Sequence, residues 1–264
     1  MKTPGNFGSA GNQGLAQPHG FTLVELLTVI AIMGILTALS LPTLGRLKKN
    51  ALIQRARLEM NSLTSAISEY QSVYGRPPVS EAAQAAVATL DEDLTYGGVI
   101  EETHTWLAGP GPYLTNNSEV MAVLLDLEYY ADGAPTINQG HRRNPRRTRF
   151  LDLSIRGGTN AVPGVGVDGV YRDPWKSPYI VSLDLNGDGR TRDFFYREPA
   201  VSEDFSNPGR GLNDLVKIED GRGHTFFEAP FPVLVWSAGP DRQVNPKIRA
   251  NEGVNRDNLL SWQR

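Results

Sequence analysis

The sequence predicts an α+β chain in which one long N-terminal helix packs on a small antiparallel sheet with long inserted loops. Three observations predict it. The stretch from Leu26 to Gly45 carries no charge, an apolar stripe at helical spacing runs from Leu52 to Tyr74, and short strand-like segments begin at Tyr179. The 264 residues are 40% hydrophobic and 21% charged, with net charge −3 and no cysteine. That balance is globular. It excludes disulfides and thiolate metal sites, and it is not basic enough to indicate a nucleic-acid partner.

Residues 1–20 hold five Gly, two Pro and a single charge, Lys2, so they cannot sustain a helix. From Leu26 onward, twenty helical residues would span roughly 30 Å, the thickness of a bilayer core. A secretory signal cut after Ser40 is one reading, with Ala38 and Ser40 as the small residues. Glu25, at the start of the apolar run, opposes it. An acid in lipid costs a few kcal/mol unless paired, so its presence points to a function.

The order Gly20-Phe21-Thr22-Leu23-Val24-Glu25-Leu26-Leu27 resembles the processing site of type IV pilins and type II secretion pseudopilins. The resemblance implies that a prepilin peptidase cuts between Gly20 and Phe21 and methylates the new N-terminal Phe21. It makes Glu25 the fifth residue of the mature chain, and it matches Gly34 and Pro42 to a mid-helix glycine and a helix-bending proline. The implied protein is a structural subunit of a type II secretion pseudopilus and not an enzyme. Its partners would be further copies of itself, other pseudopilins, the prepilin peptidase and the inner-membrane assembly platform. It would sit in the bacterial inner membrane with its head in the periplasm. A type IV pilus-like subunit and a non-polymerising, membrane-anchored ligand-binding module are the alternatives.

Elementary electrostatics agrees with that implication. Glu25 lies one turn from the start of the helix, where a carboxylate complements the helix dipole. In a filament it can also meet the Phe21 ammonium of a neighbouring copy, which removes two uncompensated charges from lipid. One signal points the other way. Arg46, Lys48, Lys49, Arg55 and Arg57 follow the span before the first acid, Glu59, and the positive-inside rule would place this side in the cytoplasm.

The predicted organisation is a leader over 1–20, a transmembrane and assembly helix over 21–45, a stem helix over 46–75 and an extracytoplasmic head over 76–264, with an insertion around 79–170. Leu52, Ala56, Met60, Leu63, Ile67, Tyr70 and Tyr74 form the buried face of the stem. Gly75 caps it, and Pro77-Pro78 cannot continue it. Glu81–Asp93 and Ser118–Tyr129 read as short helices, the second capped by Asn117 or Ser118. Residues 141–149 hold five arginines in nine positions; anionic lipid headgroups, an acidic partner and nucleic acid are the candidate contacts, but the lack of interleaved aromatics and Pro145 favour a solvated loop. Gly164, Gly166 and Gly169 match G-x-G-x-x-G, yet no helix follows, so a dinucleotide site is not expected.

Asp173-Pro174-Trp175-Lys176-Ser177-Pro178-Tyr179 resembles a turn of the major pseudopilin, with Lys176 in place of glycine. A strand over Tyr179–Asp184, a turn, and a second strand over 192–198 are expected, followed by a strand at Pro232–Trp236. The closing Ser237-x-Gly239-x-Asp241 and Asp257-to-Trp262 segments resemble the same family's C-terminus. That resemblance implies a calcium loop with Asp241, Asp257 and oxygens near Trp236 and Ser237 as ligands; a loop closed by aspartate–backbone hydrogen bonds alone is the alternative. Asp184, Asn186, Asp188 and Asp193 follow the alternating D-x-N-x-D-G start of a second candidate calcium loop. Phe195 stands where a bidentate glutamate belongs, and Asn-Gly and Asp-Gly equally favour a plain hairpin. The chain has no nucleotide-binding, nucleophile-elbow or zinc-protease motif, and its histidines at 19, 104, 141 and 224 are scattered.

Overall fold

A computed structural model describes residues 20–88, 92–100, 103, 105–109, 114–157 and 162–263, without the side chains of 38–44 and 106. The leader through His19 lies outside the described residues, as does the side chain of Pro42. The chain divides into two compact units, one ending at Lys48 and the other running from Lys49 to Arg264.

Helix α1 covers Leu23–Tyr74 and its first part belongs to the N-terminal unit. There the apolar side chains are exposed on every side, from Phe21 at 76% and Leu23 at 80% through Ile30, Ile32, Met33, Ile35 and Leu36. Among the described residues no helix is long and apolar enough to cross a membrane. The expected span over Leu26–Gly45 includes 38–44 and so falls partly outside those residues.

In the second unit the same helix is amphipathic. Ala56, Met60, Leu63, Ile67 and Tyr70 are buried, and Ile53 and Tyr74 pack at the edges of the same cluster. Fully burying a large apolar side chain contributes roughly 1.5–3 kcal/mol, so this stripe holds the stem in the head. Gly75 ends the helix at φ +64°, a left-handed conformation that costs glycine nothing.

The head is built on a five-stranded antiparallel sheet, ordered β2-β1-β5-β8-β9. Its strands are β1 (Leu94–Ile100), β2 (Thr105–Gly109), β5 (Ile180–Leu183), β8 (Val233–Ser237) and β9 (Leu259–Leu260). Two-residue strands β3 (Gly164–Val165) and β4 (Tyr171–Arg172) form a small hairpin, and β6 (Val216–Glu219) pairs with β7 (Thr225–Glu228). Side chains alternate across the central sheet. Val233 and Val235 face the core shared with α1, while Leu234 and Trp236 face a second core with Phe195, Tyr196 and Trp262. Both faces are covered, which is why β8 reads as a continuous apolar run. The expected helix-on-sheet arrangement is present, with a further layer of loops on the far side.

Two local expectations need correction, and residues 79–170, expected to hold an insertion, supply β1 and β2 to the main sheet. They also supply α3 (Ser118–Leu124), whose Val120, Met121, Val123 and Leu124 enter the first core. The expected strand after the Asn-Gly-Asp-Gly turn does not form. Asp193 Oδ1 instead accepts from the Phe195 and Tyr196 amides at 2.9 Å, which turns the chain, and β5 pairs with β1 and β8. Asn117 makes no side-chain cap on α3. Its Nδ2 donates to the carbonyls of Tyr171 (2.9 Å) and Tyr179 (2.8 Å), and its Oδ1 accepts from the Tyr171 amide.

The remaining helical elements match more closely. α2 covers Glu81–Ala88, inside the range predicted for it. The three glycines of the G-x-G-x-x-G run lie in the β3–β4 hairpin, where the Gly169 amide donates to the Gly166 carbonyl.

Candidate functional site

The N-terminal site begins at an exposed Gly20 with open space around its Cα. Phe21 and Thr22 precede the helix, and Thr22 is its N-cap. The Thr22 amide and hydroxyl both donate to Glu25 Oε2, at 2.8 and 2.7 Å, while the Glu25 amide donates back to Thr22 Oγ1 at 3.3 Å. This is a capping box, in which two orphan amides of the first turn are satisfied reciprocally. It holds the Glu25 carboxylate within a turn of the Gly20–Phe21 bond, at the positive end of the helix dipole. The cap is a role of Glu25 beyond the dipole and the inter-chain pair, and the T-x-x-E spacing of Thr22 and Glu25 is its signal in the sequence.

The C-terminal loops place the other expected residues. Gly239 has φ +73° and approaches Asp257 so closely that a Cβ there would lie 2.2 Å from the Asp257 carbonyl oxygen. That approach brings Asp241 and Asp257 side by side. Burial first, and the neighbouring Asp257 carboxylate as well, raise the Asp241 carboxyl above its usual range. Asp257 Oδ1 is buried without a hydrogen-bond partner. An orphaned carboxylate oxygen beside a second carboxylate suits a divalent cation.

Ser237 belongs to a different group. Its Oγ donates to Asp173 Oδ2 at 2.6 Å and accepts from the Gly239 amide. Asp173 Oδ1 accepts from the Trp175 and Ser177 amides, and burial pushes the carboxyl up to about 7. The aromatic turn and the C-terminal loop are thus tied together by one buried carboxylate.

In the second candidate calcium loop the oxygens close on their own backbone. Asp184 accepts from the Gly187 and Gly189 amides, Asn186 from Asp188, and Asp188 from Arg190. Asp193 is drawn away into the second core, where its Oδ2 accepts from Ser182 Oγ (2.6 Å) and Trp236 Nε1 (3.0 Å). Among the described residues no three His, Asp or Glu side chains converge to hold a metal ion.

The arginine-rich stretch is largely the solvated loop its composition predicts, with Arg142, Arg146, Arg147 and Arg149 exposed, but two of its residues anchor it. Asn144 is fully buried and Arg143 nearly so. Tyr70 and Tyr74 of the stem donate to the Arg143 carbonyl and to Asn144 Oδ1, and Arg143 Nη2 donates to the Val79 carbonyl. Burial lowers the Arg143 pKa from its ordinary value. The stretch grips the C-terminal end of α1.

Comparison with known proteins follows the same division of the chain. Residues 16–41 match the family model described as the prokaryotic N-terminal methylation motif. A type IV major pilin protein of Neisseria gonorrhoeae is 39% identical over 75 residues, covering 28% of this chain and 45% of that protein. The type II secretion system core protein G of Pectobacterium carotovorum is 38% identical over 81 residues, covering 31% and 51%. A fimbrial protein of Eikenella corrodens is 39% identical over 86 residues, covering 33% and 56%. The chain thus spans about half the length of the curated relatives it matches, and no solved structure matches it. The methylation motif at residues 16–41 and relatives of both kinds support a type IV pilin-like or pseudopilin family, over the N-terminal third of the chain.

Proposed function

We propose that this chain is a structural subunit, not an enzyme, of a type II secretion pseudopilus. A prepilin peptidase cuts it between Gly20 and Phe21 and methylates Phe21. The apolar part of α1 anchors it in the bacterial inner membrane, with the head on the periplasmic side. There the assembly platform stacks it with further copies and with other pseudopilins. The observation that carries this reading is Glu25, a single carboxylate placed one turn from the processing site on a helix whose exposed surface is apolar all round. Such a surface needs lipid or other helices against it. The acid then selects a neighbour whose terminal ammonium can reach it. Mass analysis of the mature N-terminus tests the processing step: a methylated Phe21 start is expected, and a start at Leu41 contradicts it.

A type IV pilus-like filament is the second reading, favoured by the pilin relatives. The aromatic turn tied to Ser237 and the closing Trp262 favour the secretion system, because they match the pseudopilin resemblance at both ends of the head.

The same reading includes calcium at Asp241 and Asp257, supported by the orphaned Asp257 oxygen. When bound, the ion would supply positive charge to these two carboxylates and join the C-terminal loop to the chain end. A ligand that binds only the folded state raises its stability, by about 2.7 kcal/mol at a hundredfold excess over Kd. The melting midpoint should therefore rise in calcium relative to chelator and lose that rise in D241N. Equal midpoints would contradict the site.

A further inference from the structure

An open groove of about 500 Å³ lies on the head between the chain leaving α3 and the segment at residues 153–155. Part of its lining is apolar. Leu127 and Leu153 are half-buried and pack on the first core, and Ile155 is 39% exposed. Arg147 and Arg149 of the arginine-rich stretch line it too, and both are exposed. Among the described residues neither is paired with a carboxylate; Arg149 Nη2 donates to the Leu153 carbonyl at 3.0 Å. One acid lines the groove, Asp126, and its Oδ1 is already engaged by Asn138 Nδ2 at 2.9 Å and His141 Nδ1 at 2.8 Å. The groove therefore asks for an apolar side chain accompanied by negative charge.

The same chain carries that combination elsewhere. Helix α4 (Pro199–Ser202) is followed by Glu203, Asp204 and Phe205. Phe205 is 69% exposed, the most exposed large apolar side chain among the described residues of the Lys49–Arg264 unit. Arg249 stands over its ring, 5.0 Å from the centroid, and Asp204 Oδ1 accepts from the Ser206 amide at 2.9 Å, so the tip has a fixed local shape. A ring left this far in water gains from burial. Charge is divided in the same sense. Outside 142–149, residues 76–264 hold 15 Lys or Arg against 26 Asp or Glu, so an acidic surface to meet the arginines is present on every copy.

We propose that this groove receives Phe205 of a second copy of the chain, with that copy's Glu203 and Asp204 against Arg147 and Arg149. The ring lies on Leu127, Leu153 and Ile155, and the two acids meet guanidiniums that no carboxylate of their own chain holds. The groove's volume falls within the roughly 300–1,000 Å³ of sites for drug-sized groups, which is ample for one ring. Knob and groove are different patches, so the contact is heterologous and repeats from copy to copy without closing a pair. It deepens the filament reading given above and rests on it for the setting in which copies meet.

The chain has no cysteine, so Ser154→Cys in the groove and Ser206→Cys beside the knob supply the only thiols. The full-length double variant is placed in lipid vesicles and treated with a short thiol-specific cross-linker. A ladder of linked copies is expected on a denaturing gel, and either single variant should give no ladder. Phe205→Ser and Arg147→Glu, added separately, should each reduce the ladder at least about tenfold. Both side chains are exposed, so the melting midpoint of the head should stay unchanged. Adding Asp204→Arg to Arg147→Glu should restore the ladder. Three results would overturn the proposal: no ladder, a link formed only within one copy, or a ladder indifferent to both substitutions. A mature start at Leu41 would overturn the pseudopilus reading and leave the ladder standing, whereas filaments that form while the ladder fails would overturn this contact alone.

Discussion

One helix behaves in two ways along its length. In the N-terminal unit α1 is apolar around its whole circumference and its side chains are exposed, whereas in the head it is amphipathic and buries a stripe from Ala56 to Tyr70. The backbone is the same, but the stabilisation differs in kind. The head half is held by its own chain, through the sheet, α3 and the arginine-rich grip. The N-terminal half has a capping box and an exposed apolar surface, so its stable environment must be supplied by lipid or other copies. A lesion in one half should therefore leave the other intact.

Glu25→Val sharpens that contrast most. It should abolish filament assembly while membrane insertion and the melting of the head stay unchanged, because the acid serves no contact within the head. Filament counts and a melting curve on the same preparation check both halves of the statement. Leu63→Ala should do the reverse. The residue is fully buried in the first core, and large-to-small changes there cost about 2–5 kcal/mol, read by chemical denaturation. Processing at Gly20 should be unaffected in this variant.

Asn117→Ala comes next. It leaves the buried Tyr171 amide and Tyr179 carbonyl without this partner, while the Tyr171 carbonyl keeps the Tyr179 amide, so a loss of roughly 2–4 kcal/mol is expected in the same measurement. The most gradual effect is the pH response of Asp173. Its carboxyl is raised from an unfolded value near 3.8 to about 7 by burial, so the folded state binds the proton more tightly. This group should therefore make the head more stable as pH falls from about 7 towards 4. Asp173→Asn should flatten that part of the stability–pH curve, and an unchanged slope would contradict the assignment.

Periodicity made the stem legible. Ala56, Met60, Leu63, Ile67 and Tyr70 repeat at steps of three and four, and all are buried as expected. The β8 strand was equally plain from its apolar run. What escaped were polar residues whose roles depend on distant partners. Asn117 and Asn144 read locally as a cap and a loop residue, yet each clamps segments far away in the chain, and nothing in the neighbouring residues encodes that. Asp193 was misread for the same reason: its spacing suits a cation loop, but the hydroxyl and indole that claim it come from two other strands. The methylation motif was legible because its residues are local, with Gly20, Phe21 and Glu25 within six positions. The partnership proposed for Glu25 lies between chains, so no single chain displays it.

That partnership can be measured directly. Filaments would be assembled from two populations, one carrying a nitrogen label on the Phe21 amine and the other a carbon label on the Glu25 carboxylate. The account predicts a solid-state dipolar coupling between the two labels, at salt-bridge distance of about 4 Å or less. Filaments that form normally in the mixture but show no such coupling would contradict it.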